Sequence, residues 1–99
     1  MKLCDKIMWQ KVKQHPNAGV AWYLMSAYTY YAMDVCIISD GAFDELAKFL
    51  LKNWSKIKHQ HKRFITKADL KAGTLLFNSE KLPNMVKSAA VARYQTLRR

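Results

Sequence analysis

The chain has 99 residues, 51% of them hydrophobic and 24% charged, which fits one globular domain, residues 1–99, and excludes a disordered chain or a core with a separate functional module. Seventeen lysines and arginines against seven acids give a formal net charge of +10, so the expected partners are polyanionic: nucleic acid, anionic lipid or an acidic protein surface. Cys4 and Cys36 are too few for a disulfide framework or a zinc cage. Without a secretory pattern or an apolar run long enough for a bilayer, a cytoplasmic protein with no membrane partner is expected.

Met1 to Gln14 reads as a first helix, with Leu3, Ile7, Met8 and Val12 on one side and Lys2, Lys6, Lys11 and Lys13 elsewhere. Trp9 lies off that stripe and is expected to pack against the elements that follow. His15-Pro16-Asn17 stops the helix, because proline disfavours a helical residue before it, and Asn17 or His15 can cap the next. In the helix read over Asn17 to Asp34, the stretch from Gly19 to Asp34 is apolar nearly all round, with Val20, Trp22, Leu24, Met25, Tyr28, Tyr31 and Met33 covering more than one face. A helix of that kind is buried from several sides and should be central. Tyr28, Tyr30 and Tyr31 then have two readings, core aromatics or a ligand platform.

The clearest periodicity follows. Phe43, Leu46, Ala47, Leu50, Leu51, Trp54 and Ile57 recur at three- and four-residue intervals, which predicts a helix over Asp40 to Lys58 with one buried face. Ser39 or Asp40 can cap its first turn, where Asp44 and Glu45 also suit the helix dipole. The connection after Asp34 is too short for anything but an antiparallel helical hairpin. On the solvent side, Lys48, Lys52 and Lys56 run into Lys58, His59, His61, Lys62 and Arg63, a cationic ridge suited to a phosphate backbone or, more simply, to water. His59-Gln60-His61 offers two metal ligands without a third, and no metal site is expected.

Thr66-Lys67-Ala68-Asp69 has capping-box spacing, and Gly73 can end the short helix it opens. Leu75, Leu76 and Phe77 read as an extended cover for the core. Pro83 starts a final helix to about Leu97, with Met85, Val86, Ala89, Ala90 and Tyr94 inward. Lys87, Arg93, Arg98 and Arg99 make a second basic cluster, or a solvated end. The expected fold is all-α, four to five helices packed around a central antiparallel helical hairpin.

The hairpin carries a resemblance. Tyr30-Tyr31-x-x-Asp34 and Ile38-Ser39-Asp40-x-x-Phe43-Asp44-x-Leu46 resemble, without a gap, the small N-terminal helical domain of bacterial NAD-dependent DNA ligases. In that family the domain closes over the nicotinamide mononucleotide (NMN) half of NAD, with aromatic rings on the nicotinamide and two aspartates on ribose and ring substituents. The resemblance implies that Tyr30, Tyr31, Asp40, Phe43 and Asp44 line such a pocket, with NAD or NMN as ligand. Phe43 stands where the family has tyrosine, a loss of one polar contact worth roughly 0.5–1.5 kcal/mol. The stretch His59-Gln60-His61-Lys62-Arg63-Phe64-Ile65-Thr66-Lys67-Ala68-Asp69-Leu70-Lys71-Ala72-Gly73-Thr74 resembles short ligase-related proteins of bacteriophages, which extends the likeness over most of the chain.

A ligase also needs a Lys-x-Asp-Gly nucleophile, an oligonucleotide-binding barrel, a zinc site and helix-hairpin-helix repeats. Lys67-Ala68-Asp69-Leu70 lacks the glycine, and no nucleophile-base pairing or phosphate loop is visible, so the chain is not expected to be an enzyme. Three functions follow. The first is a phage-type accessory protein that binds nucleic acid, or a nucleic-acid enzyme, through its lysines. The second is a binder of NAD, NMN or a related nucleotide. The third is an inhibitor or regulator of a host protein.

Overall fold

The computed structural model describes residues 4–59 and 84–97, together with Ile65 and Leu70. Four α-helices are present among them: α1 (Asp5–Gln14), α2 (Ala18–Met33), α3 (Asp40–Lys52) and α4 (Asn84–Leu97), with a short 3-10 turn at Trp54–Lys56. The architecture is all-α, as expected. The expected capping box at Thr66 to Asp69, the stop at Gly73 and the cover at Leu75 to Phe77 lie outside the described residues, as do Leu3, Pro83, Arg98 and Arg99.

The central helix is α2, which packs against α1, α3 and α4. Its buried residues run Gly19, Val20, Trp22, Tyr23, Leu24, Met25, Ser26, Ala27 and Thr29, with no polar stripe between them. Such a helix has to be covered on every side. Near its start a Cβ on Gly19 would lie 2.9 Å from Leu50 Cδ2 and 3.4 Å from Leu46 Cδ1, so the missing side chain lets the start of α2 sit closely on the end of α3. One turn further along, Tyr23 stacks on Phe43 at the start of α3, with ring centroids 4.7 Å apart and planes 19° apart. As α2 advances from Gly19 to Tyr23 its partners on α3 move back from Leu50 to Phe43, so the pair is antiparallel.

The hairpin closes over residues 34–39. Asp34 ends α2 in the left-handed region at φ 56°, a conformation that aspartate tolerates better than most residues. Its N–H donates to the Thr29 carbonyl, as does that of Val35 at 3.0 Å. Ile37 and Ile38 are buried in this connection, and the Ile37 carbonyl accepts from the Cys4 N–H at 2.7 Å. Ser39, not Asp40, caps α3: its Oγ accepts from the Ala42 N–H at 3.1 Å. The Asp5 carboxylate then holds Ser39 itself, accepting from its N–H at 2.8 Å and its hydroxyl at 2.6 Å. Helix α1 thereby braces the start of α3, a contact across 34 positions of sequence.

Several expectations need correction. The inner stripe of α1 is Cys4, Met8 and Val12, at four-residue steps, and Ile7 is exposed because it lies about 100° round the helix from Met8. Trp9 does pack on the hairpin, edge-on to Phe49 at 6.1 Å. Asn17 precedes α2 without a side-chain cap; its Oδ1 accepts from the Lys58 N–H at 2.9 Å, which ties the chain beyond α3 to the α1–α2 corner.

Helix α3 stops at Lys52 instead of Lys58; at its end the Asn53 side chain donates to the Phe49 carbonyl at 2.9 Å, beside the ordinary helical bond from the Asn53 N–H at 3.1 Å. Ile57 is still buried, but from beyond the helix. In α4, Val86 and Ala90 are buried and Ala89 and Tyr94 pack on the core, whereas Met85 is 66% exposed, one position out of phase. Arg93 is not part of a free basic cluster: its guanidinium sits over the Trp22 ring at 5.0 Å.

Asp5→Ala removes both acceptors at Ser39 and is expected to cost about 1–3 kcal/mol in urea unfolding. In a double-mutant cycle, adding Ser39→Ala should cost much less than it does alone; strictly additive costs would show that the two residues do not interact.

Candidate functional site

The end of α2, the 34–39 connection and the start of α3 enclose a cleft of about 260 Å³. It is lined by Ser26, Ala27, Tyr30, Tyr31, Cys36, Ile37, Ile38, Asp40, Phe43 and Asp44. All five residues singled out by the ligase-like motif, Tyr30, Tyr31, Asp40, Phe43 and Asp44, are among them. Helix geometry accounts for this: Asp40 and Asp44 are four apart on α3, Ser26 and Tyr30 four apart on α2, and antiparallel packing turns the two rows toward each other.

Tyr30 and Tyr31 are 52% and 49% exposed, which corrects their reading as core aromatics. Their rings meet edge to face, with centroids 5.1 Å apart and planes at 88°. The core aromatic of this region is Tyr23, fully buried and stacked behind Phe43. Phe43 is therefore held from behind while it lines the cleft. Asp44 forms an exposed ion pair with Lys48 at 3.2 Å, one helical turn on. With Ser39 as the cap, Asp40 is left to the cleft and to the positive end of the α3 dipole.

Two polar lining residues, Ser26 and Cys36, are not among the five that the motif singles out. Ser26 is buried, and its hydroxyl has no hydrogen-bond partner among the described residues, an uncommon state for an interior polar group. Its four-residue spacing from Tyr30 was the signal that could have found it. Cys36 is a free, exposed thiol. Desolvation at the cleft wall, and then the Asp40 and Asp34 carboxylates, push its pKa up. The thiol is thus held in its protonated, weakly nucleophilic form at neutral pH, and no nucleophile-base pair emerges in the cleft.

The expected basic surface is only partly assembled. Lys48, Lys52, Lys56 and Lys58 are all exposed. They do not form one straight ridge, because α3 ends at Lys52, Lys56 belongs to the 3-10 turn and Lys58 follows it. His59 is half-buried, and His61, Lys62 and Arg63 lie outside the described residues. No group of three or more potential metal ligands occurs among the described residues, and no described helix is long and apolar enough to cross a membrane.

Two outcomes are expected here. Ser26→Ala should raise stability by about 0.5–2 kcal/mol, since it removes an unpaired buried hydroxyl and improves helix propensity; a loss in thermal unfolding would show that the hydroxyl has a partner. Alkylation of Cys36 at neutral pH should run slower than that of a small-molecule thiol and speed up in Asp40→Asn, where a carboxylate that raises its pKa is gone. An unchanged rate would remove Asp40 from the environment of the thiol.

No protein-family model matches the chain, and neither a curated protein nor a solved structure matches it.

Proposed function

We propose that this chain is a non-catalytic binding module, related to the N-terminal domain of NAD-dependent DNA ligases, whose α2–α3 cleft takes a mononucleotide of the NMN type. The observation that carries the reading is the convergence of Tyr30, Tyr31, Asp40, Phe43 and Asp44, the residues of the sequence motif, on one cleft. Five positions chosen only for core packing would not gather around open space.

The chemistry of the lining supports the same ligand. Half-exposed tyrosine rings and a braced Phe43 provide apolar surface for a planar ring, and the carboxylates of Asp40 and Asp44 can accept hydrogen bonds from ribose hydroxyls. A volume of about 260 Å³ lies just under the usual lower bound for small-molecule sites, roughly 300 Å³, so one nucleoside half fits and a whole dinucleotide does not. The phosphate then projects outward, where Lys48 stands beside Asp44. Phe43 brings no hydroxyl, so affinity should be modest.

Titration with NMN, followed by tyrosine and tryptophan fluorescence, is expected to give a saturable change in the wild-type chain and at least about tenfold weaker binding in Asp44→Ala, the loss of one charge-assisted hydrogen bond. No response, or equal responses from the two proteins, would contradict the nucleotide reading.

A second reading concerns the exterior. The net charge of +10 and the exposed Lys48, Lys52, Lys56 and Lys58 support binding of nucleic acid, of a nucleic-acid enzyme or of an acidic protein surface on the α3 side. Single- or double-stranded DNA should then shift on a gel at low salt, with affinity falling steeply as salt rises and in a variant with Lys52, Lys56 and Lys58 reversed to glutamate. Absence of a shift at low salt would exclude nucleic acid and leave a protein partner.

A further inference from the structure

The charge of the cleft opposes that of the molecule. The chain carries +10, yet no lysine, arginine or histidine lines the cleft, and its ionisable lining side chains are all acids: Asp40, Asp44, the Cys36 thiol and the hydroxyls of Tyr30 and Tyr31. Asp44 shares its charge with Lys48 in an exposed pair that water screens. No ion pair neutralises Asp40 among the described residues. Asp34 adds a further carboxylate beside the wall, and its influence reaches Cys36 together with that of Asp40. The rest of the wall is uncharged, and Phe43 with the rings of Tyr30 and Tyr31 gives it an aromatic share beside Ser26, Ala27, Ile37 and Ile38. Ring faces carry the negative end of a quadrupole and attract cations, most strongly where water is partly excluded.

We propose that the cleft is a site for a small organic cation, a quaternary ammonium or an alkylated ring nitrogen, held between the rings of Tyr30, Tyr31 and Phe43 and the carboxylates of Asp40 and Asp44. This rests on the reading of the cleft as a ligand site and not on the ligand being a nucleotide. The arrangement separates two kinds of partner by charge: polyanions meet the lysine-rich exterior, and the cleft repels them. It also gives Lys48 a definite effect on the site. By pairing with Asp44 it lowers the negative potential at the rim, so its removal strengthens cation binding.

The test uses the full 99-residue chain at low salt and three probes that share one ring: benzyltrimethylammonium, benzyl alcohol and benzoate. Ring resonances of Tyr30, Tyr31 and Phe43 are followed by NMR. The cation should give saturable shifts, the neutral alcohol should bind about tenfold more weakly, and benzoate should give no shift. Asp40→Asn should weaken the cation several-fold and Lys48→Ala should tighten it. Both residues are exposed and the helix cap belongs to Ser39, so neither variant threatens the fold. Equal affinity for cation and alcohol, or an Asp40→Asn variant that binds the cation as well as wild type, would overturn the proposal. Binding of benzyltrimethylammonium without binding of NMN supports this inference while the nucleotide reading fails. Binding of NMN with no preference for the cation overturns this inference and leaves the nucleotide reading in place.

Discussion

The antiparallel contact of α2 with α3 is the constraint from which the rest of the structure follows. At one end it depends on an absence, the side chain that Gly19 lacks, and Leu50 and Leu46 fill the space. At the other it depends on two rings, Tyr23 and Phe43, stacked 4.7 Å apart. The two ends do different work. The glycine end brings the helices together where only apolar atoms meet, and the tyrosine end holds them a ring's thickness apart where the cleft opens. Beyond the Tyr23–Phe43 stack α2 stays buried through Thr29, and Tyr30 and Tyr31 then stand half in water. The cleft opens where the buried run of α2 ends, with Ser26 and Ala27 at its floor and Tyr30 and Tyr31 at its rim.

The connection between the helices is short enough to need outside help. Its two isoleucines are buried, and its backbone is paired with Cys4, so α1 contributes to a hairpin that comes later in the chain. Asp5 continues that role at Ser39, where a cap and a long-range contact share one hydroxyl: Ser39 Oγ accepts from Ala42 and donates to Asp5. An exposed cap alone orders only its own helix. Here the same atom fixes where α3 begins relative to α1, and with it the positions of Asp40 and Asp44.

Periodicity and caps, which are local, were legible in the sequence. The stripe of α3, a cap at Ser39 or Asp40, the proline stop after α1 and the all-round apolarity of α2 could each be read within one or two turns. The five cleft residues were legible through a motif whose polar positions core packing does not require. What escaped was decided by partners distant in sequence or by competition at one atom. Asp5 and Ser39 lie 34 positions apart, and neither looks unusual alone. Arg93 reads as one more surface cation until Trp22 is placed beneath it. At the early end of α3 the Asn53 side chain bonds the Phe49 carbonyl, a contact that apolar spacing cannot express. Hydrophobicity alone points Ile7 and Met85 inward, but each lies one position out of phase with the buried stripe of its helix and faces solvent.

The exposed lysines of the α3 side and the acidic, aromatic lining of the cleft both depend on the hairpin being closed as described. The most direct measurement is the set of nuclear Overhauser contacts between α2 and α3 in solution. The account predicts contacts from the Gly19 α-protons to the Leu50 methyls together with contacts between the Tyr23 and Phe43 rings, since these pairs lie 2.9 and 4.7 Å apart as Cβ position to methyl and as ring centroids. Gly19 in contact with Phe43 instead of Leu50, or Tyr23 and Phe43 without contact, would mean that the helices do not run antiparallel in this register and that the cleft does not exist in this form.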